Sequence, residues 1–118
     1  SSEALAQLLA ARADPDKAKK DAWTPVLIAS RKNGSGALAR LLAARADPDK
    51  AHTSGATPIY LASQSNSSEA LAQLLAARAD PDKAREDRAT PVWIASQNNS
   101  HEALAQLLAA RADPDKAR

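Results

Sequence analysis

The chain has 118 residues, 44% of them hydrophobic, a formal net charge of +2 at pH 7 and no cysteine. This length fits one modest domain, and no run of about 18 apolar residues is present to cross a membrane as a helix. Without Cys there is no disulfide, thiolate nucleophile or thiol metal ligand, and so small a net charge gives no argument for nucleic acid.

Internal repetition organises the chain. The string ALAQLLAARADPDKA begins at Ala4, Ala70 and Ala103, and ALARLLAARADPDKA begins at Ala37, so the starts are 33 residues apart. One column varies among these copies: Gln7, Arg40, Gln73 and Gln106. A second block keeps the same step, as TPVLIAS from Thr24, TPIYLAS from Thr57 and TPVWIAS from Thr90. The organisation is a half repeat, 1–18, followed by full repeats 19–51, 52–84 and 85–117 in one domain spanning 1–118.

In chain order, the half repeat supplies a helix from Glu3 to Ala11 with Leu5, Leu8 and Leu9 on one face. Each full repeat then reads as two helices. Thr24-Pro25, Thr57-Pro58 and Thr90-Pro91 are start signals, with Thr suited to the N-cap and Pro to the first helical position. The apolar residues that follow, such as Val92, Ile94 and Ala95, make a helix of about two turns. A polar QSNS or QNNS ends it in the second and third repeats. The second helix runs through EALAQLLAA, where Leu71, Leu74 and Leu75 at i, i+3 and i+4 form one apolar face. Arg-Ala-Asp-Pro-Asp ends that helix, because the residue before Pro resists the helical region. So small a pair cannot bury its Leu face alone, and neighbouring repeats must stack.

The period, together with Thr-Pro, flanking apolar residues and a later Leu-Leu and Ala-Asp, resembles the ankyrin repeat over the whole chain. The family's Thr-Pro-Leu-His falls on Thr24 to Leu27, Thr57 to Tyr60 and Thr90 to Trp93. Its Gly-Ala-Asp falls on Arg45-Ala46-Asp47 and on the equivalents starting at Arg12, Arg78 and Arg111. The resemblance implies an all-α solenoid of stacked helix-turn-helix units with short β-turn fingers. It also implies a concave face lined by first helices and a function in binding other proteins without catalysis. Two departures bear on the physics. The family's Gly is Arg in every copy, which costs ~1 kcal/mol each time if the backbone stays left-handed. The family's His is replaced by Leu27, Tyr60 and Trp93.

So nearly verbatim a copy points to an engineered, consensus-style array, with recent natural duplication as the alternative. The differences between repeats then carry the information. They cluster in the fingers and in the first helix with its following loop. All three aromatics, Trp23, Tyr60 and Trp93, lie there. Trp and Tyr often dominate protein interfaces, and both residue types also fill gaps between adjacent helices. The candidate partner-binding set is Lys20, Trp23, Leu27, Arg31, Lys32, Ala56, Tyr60, Gln64, Trp93 and Gln97. Charge is graded: repeat 19–51 carries seven Lys and Arg against three Asp, while the other two full repeats are net negative. Lys20, Arg31 and Lys32 read either as a solvated face, the commoner meaning of such a cluster, or as residues that face an acidic patch on a partner.

Other chemistries lack support in the sequence. His52 and His101 fall in different columns, so no metal site is expected. There is no strained nucleophile turn or Gly-rich phosphate loop, and no catalytic residue or cofactor is expected. The expected partner is one folded protein, itself natural or engineered, with an apolar and partly acidic patch. Nucleic acid, membrane and small-molecule substrates are not expected. The alternatives are a consensus scaffold without ligand and a natural fragment mediating assembly. Localisation is not indicated.

Overall fold

The structure is a computed structural model that describes residues 16–17, 22–110 and 112–114. The helix expected from Glu3 to Ala11, and Lys20 in the first finger, lie outside the described residues. Among the described residues six helices follow in order: α1 (Pro25–Arg31), α2 (Ser35–Ala43), α3 (Pro58–Gln64), α4 (Ser68–Ala76), α5 (Pro91–Gln97) and α6 (His101–Ala109). The first helix of each repeat packs on the first helix of the next, and the second helices do the same in a parallel row. The result is an elongated stack of 44 × 24 × 20 Å.

The Thr-Pro signals work as the sequence suggests. Thr24 Oγ1 accepts from the Leu27 N–H at 3.2 Å, and Thr57 and Thr90 accept from Tyr60 and Trp93 at 3.1 Å. Pro occupies the first turn of each of these helices, where a backbone donor has no partner to lose. The helices stop at Asn33, Asn66 and Asn99, whose φ values of 54°, 53° and 58° are left-handed. Asn tolerates that region better than most residues. The next N–H then turns back, with Gly34 to Ala29, Ser67 to Ala62 and Ser100 to Ala95 at 2.8 Å.

The Asn column also joins the repeats. Second helices have no capping bond from their own N-cap side chain. Instead Asn33 Oδ1 accepts from the Ala70 N–H of the following repeat at 3.1 Å, and Asn66 Oδ1 accepts from Ala103 likewise. Gln73 and Gln106 donate back to the Ser35 and Ser68 carbonyls. The Asp-Pro-Asp turns form a further ladder. Asp47, Asp80 and Asp113 donate their backbone N–H groups to Asp16, Asp49 and Asp82 at 2.9 Å. Asn66 Nδ2 also donates to Glu102 at 2.6 Å, which lowers the Glu102 pKa below its ordinary 4.5. That tie is present above the ordinary Glu pKa and is lost as the pH falls through the lowered value.

This dual role yields a test at Asn33. Asn33→Gly suits the left-handed backbone but leaves the N–H of fully buried Ala70 unaccepted, so it should cost at least ~1 kcal/mol. Asn33→Asp keeps the acceptor and should stay close to the parent protein in urea unfolding midpoint.

The main core lies between the two rows of helices. Val26, Ile59 and Val92 of the first helices meet Leu38, Leu41, Leu71, Leu74 and Leu107 of the second. Small Ala29, Ala62 and Ala95 let the helices approach closely. Such packing needs no aromatic, which agrees with the absence of one from the copied half.

Candidate functional site

The fingers precede each Thr-Pro. His52 N–H donates to the Ala56 carbonyl at 2.9 Å, and Arg85 N–H to Ala89 at 2.8 Å, closing two tight turns. Adjacent fingers are tied by Glu86 N–H to the Ser54 carbonyl at 2.9 Å. Gly55 has φ 85°, and a Cβ there would lie 2.8 Å from the Glu86 nitrogen, so glycine serves both the turn and the close approach. The same column holds Ala22 at φ 61° and Arg88 at φ 72°.

A second apolar cluster sits beneath the fingers and against the first helices. Its buried residues are Leu27, Ala56, Tyr60, Leu61, Ala89 and Ile94, with Trp23 and Trp93 packed against it while partly exposed. The ten candidate residues therefore divide. Arg31, Lys32, Gln64 and Gln97 are exposed at the C-terminal ends of the first helices. Trp23 and Trp93 stand half-buried at opposite ends of the cluster. Leu27, Ala56 and Tyr60 are at most 5% exposed. Their side chains form the floor and offer a docking molecule almost no area, so in the folded chain they act by supporting the surface. Lys20 lies outside the described residues.

The physical reason is column geometry. Leu27, Tyr60 and Trp93 share one register and all join the second cluster; Leu27 and Tyr60 are fully buried in it, whereas Trp93 keeps part of its surface exposed. Trp23 occupies the register of buried Ala56 and Ala89. An indole in place of a methyl group has to spread toward solvent.

Two finger residues outside the candidate set complete the surface. The His52 ring lies 4.6 Å from that of Trp23, tilted by 45°, and the Arg85 guanidinium lies 5.1 Å from the Tyr60 ring centroid. His52 and Arg85 share a column, so the same finger position covers an aromatic of the preceding repeat twice. Their place in the variable finger was the only sequence signal for this. Arg85 is bound by Asp87 through two bonds of 3.2 and 2.5 Å, and this hydrogen bonding raises its pKa above the ordinary arginine value. Arg31 lies over the Trp23 ring at 4.6 Å. Among the described residues no group of His, Cys, Asp and Glu is arranged to hold a metal ion, and no helix is long and apolar enough to cross a membrane.

Stacked helix pairs with tight fingers on one side, repeated every 33 residues, define a helical-repeat solenoid whose continuous surface is built from several repeats. The family model described as "Ankyrin repeats (3 copies)" matches residues 1–84 and again 33–118, which together span the chain. The chain belongs to the ankyrin-repeat family, whose members are generally protein-interaction modules and typically not enzymes. Comparison with curated proteins gives no match.

Proposed function

We propose that the chain is a non-catalytic module that binds one folded protein on the surface formed by its fingers and the C-terminal ends of its first helices. The observation that carries this reading is the pair of half-buried indoles, Trp23 and Trp93, held on a packed floor and flanked by exposed residues that differ between repeats. Packing from below fixes each indole while leaving part of its area free. That combination suits an interface anchor, because little side-chain entropy remains to be lost on binding. An apolar patch with some acidic groups on the partner would complement Trp93 at one end and Arg31 with Lys32 at the other.

Trp93→Ala tests it. The affinity for a protein partner isolated by selection against the chain should fall by ~2 kcal/mol or more. The unfolding midpoint should move far less than it does for substitutions of the buried floor. Unchanged affinity together with a large loss of stability would make Trp93 a core residue.

Two origins fit the near-verbatim copies. Engineering of a consensus-style array is supported by the single variable column in fifteen. A natural unit duplicated recently is favoured by a different observation: Arg45 and Arg78 sit at φ 65° and 64°. A stability-guided design would place Gly there.

A further inference from the structure

We propose that Arg31, stacked on Trp23, is a carboxylate subsite that receives one Asp or Glu side chain of the protein partner. This rests on the protein-binding reading above and specifies its chemistry at one point. The fold builds a guanidinium-on-aromatic platform twice. In the later one Arg85 lies over Tyr60, and the chain supplies the carboxylate itself: Asp87 takes Nε and one terminal nitrogen of the guanidinium. In the earlier one Arg31 lies over Trp23 at 4.6 Å, is exposed, and makes no side-chain hydrogen bond or ion pair with the described residues. Among the described residues the later guanidinium has an internal carboxylate and the earlier one has none.

Stacking is what turns an exposed Arg into a recognition element. The indole lies beneath the Arg31 guanidinium carbon at 4.6 Å, and the His52 ring packs against that indole in turn. A guanidinium held in this way presents parallel N–H groups in a fork that fits a carboxylate through two bonds. Exposed Lys32 adds a second positive charge beside it without a described partner, which favours approach of an anion. The rest of the rim argues for a single acidic side chain over a polyanion. Gln64 and Gln97 hold the equivalent positions of the next two repeats and are neutral, so no basic stripe continues along the stack.

The test uses the full chain, immobilised, and a phage-displayed library of a folded three-helix domain with one randomised face. Selections run in parallel on the parent, Arg31→Gln, Arg31→Lys and Asp87→Asn. Arg31 is exposed, so its variants should keep the parent unfolding midpoint, measured alongside. Clones selected on the parent should share an Asp or Glu at one position. They should bind Arg31→Gln roughly ten-fold more weakly, and changing that acid to its amide should cost nothing further on Arg31→Gln. Arg31→Lys should recover only part of the loss, because Lys keeps the charge and lacks the fork. Asp87→Asn weakens the internal clamp on Arg85, and its clones should acquire a second preferred acidic position. Clones that show no acidic preference, or that bind Arg31→Gln as tightly as the parent, overturn the subsite while leaving the protein-binding reading intact. Short single-stranded DNA that binds the parent and is lost with Arg31→Gln overturns the assignment to a protein carboxylate. Failure to enrich any clone on any variant overturns the protein-binding reading and the subsite together.

Discussion

Tyr60→Ala should lower the stability of the chain by ~3 kcal/mol or more, read from chemical unfolding. Tyr60 is 1% exposed and is the largest fully buried side chain among the described residues. It packs with Leu27 and Leu61 and with Ala56, Ala89 and Ile94 beneath the fingers, so it ties three repeats through one cluster. Removing the ring forfeits its transfer free energy and leaves a cavity bounded by backbone and by helices that other contacts hold in place. It also takes away the surface on which the Arg85 guanidinium rests. Tyr60→Leu refills much of the space and should recover a large part of the loss. The contrast with Trp93, one repeat later in the same column, is informative: under the proposed function Trp93→Ala should act on binding and Tyr60→Ala on folding. A loss below about 1 kcal/mol for Tyr60→Ala would mean that the fingers close over the gap, and that the second cluster supports the surface little.

That contrast shows where the sequence is readable and where it is not. The helix starts were legible because Thr-Pro acts over three residues: the Thr oxygen and the N–H it accepts lie in one short segment. The Leu faces were legible because the copied half repeats its own pattern at i, i+3 and i+4. The fate of an aromatic at Tyr60 or Trp93 depends on side chains 29 or more residues away in the neighbouring repeat, for example Ala89 beneath the next finger. Ala56 and Trp23 stand in one column, yet a methyl group is swallowed there and an indole is not, so sharing a column did not mean sharing a role. The inter-repeat acceptors were least visible. Asn66 read only as part of a helix-ending QSNS and Asn33 drew no reading, yet their reach to Ala103 and Ala70 spans 37 residues. The constancy of Asn in that column among otherwise varying loop residues was the available signal. What separates Arg31 from Arg85 is a local mark, the Asp two residues beyond Arg85 where Arg31 is followed by Asn33, but the ring beneath each cation lies in a different column and was not legible.

Replacing Arg45, Arg78 and Arg88 together by Gly should raise stability by ~2 to 3 kcal/mol. The three have φ values of 65°, 64° and 72°, all in the region where a Cβ crowds its own backbone. At Arg45 and Arg78 the backbone is pinned there by the helix ends. Arg45 N–H donates to Leu42 and Ala46 N–H to Leu41, both at 3.0 Å, and Arg78 and Ala79 repeat this with Leu75 and Leu74. Ala46 and Ala79 are buried in the main core, so the turn cannot relax without pulling them out. Arg88 is held by the finger turn, where its N–H donates to the Arg85 carbonyl at 2.8 Å. Each of the three side chains is exposed and makes no side-chain hydrogen bond or ion pair with the described residues, so little is lost with it. Gly enlarges the conformational freedom of the unfolded chain, which opposes the gain, but at positive φ the relief of strain is the larger effect. The sites share no partner, so their increments should add. At roughly 4 °C or more per kcal/mol the melting temperature should rise by about ten degrees. The same three residues changed to Ala give the control. Ala removes the guanidinium and keeps the Cβ, so the triple Ala variant should stay near the parent. Equal gains from Ala and Gly would assign the effect to charge and not to backbone strain.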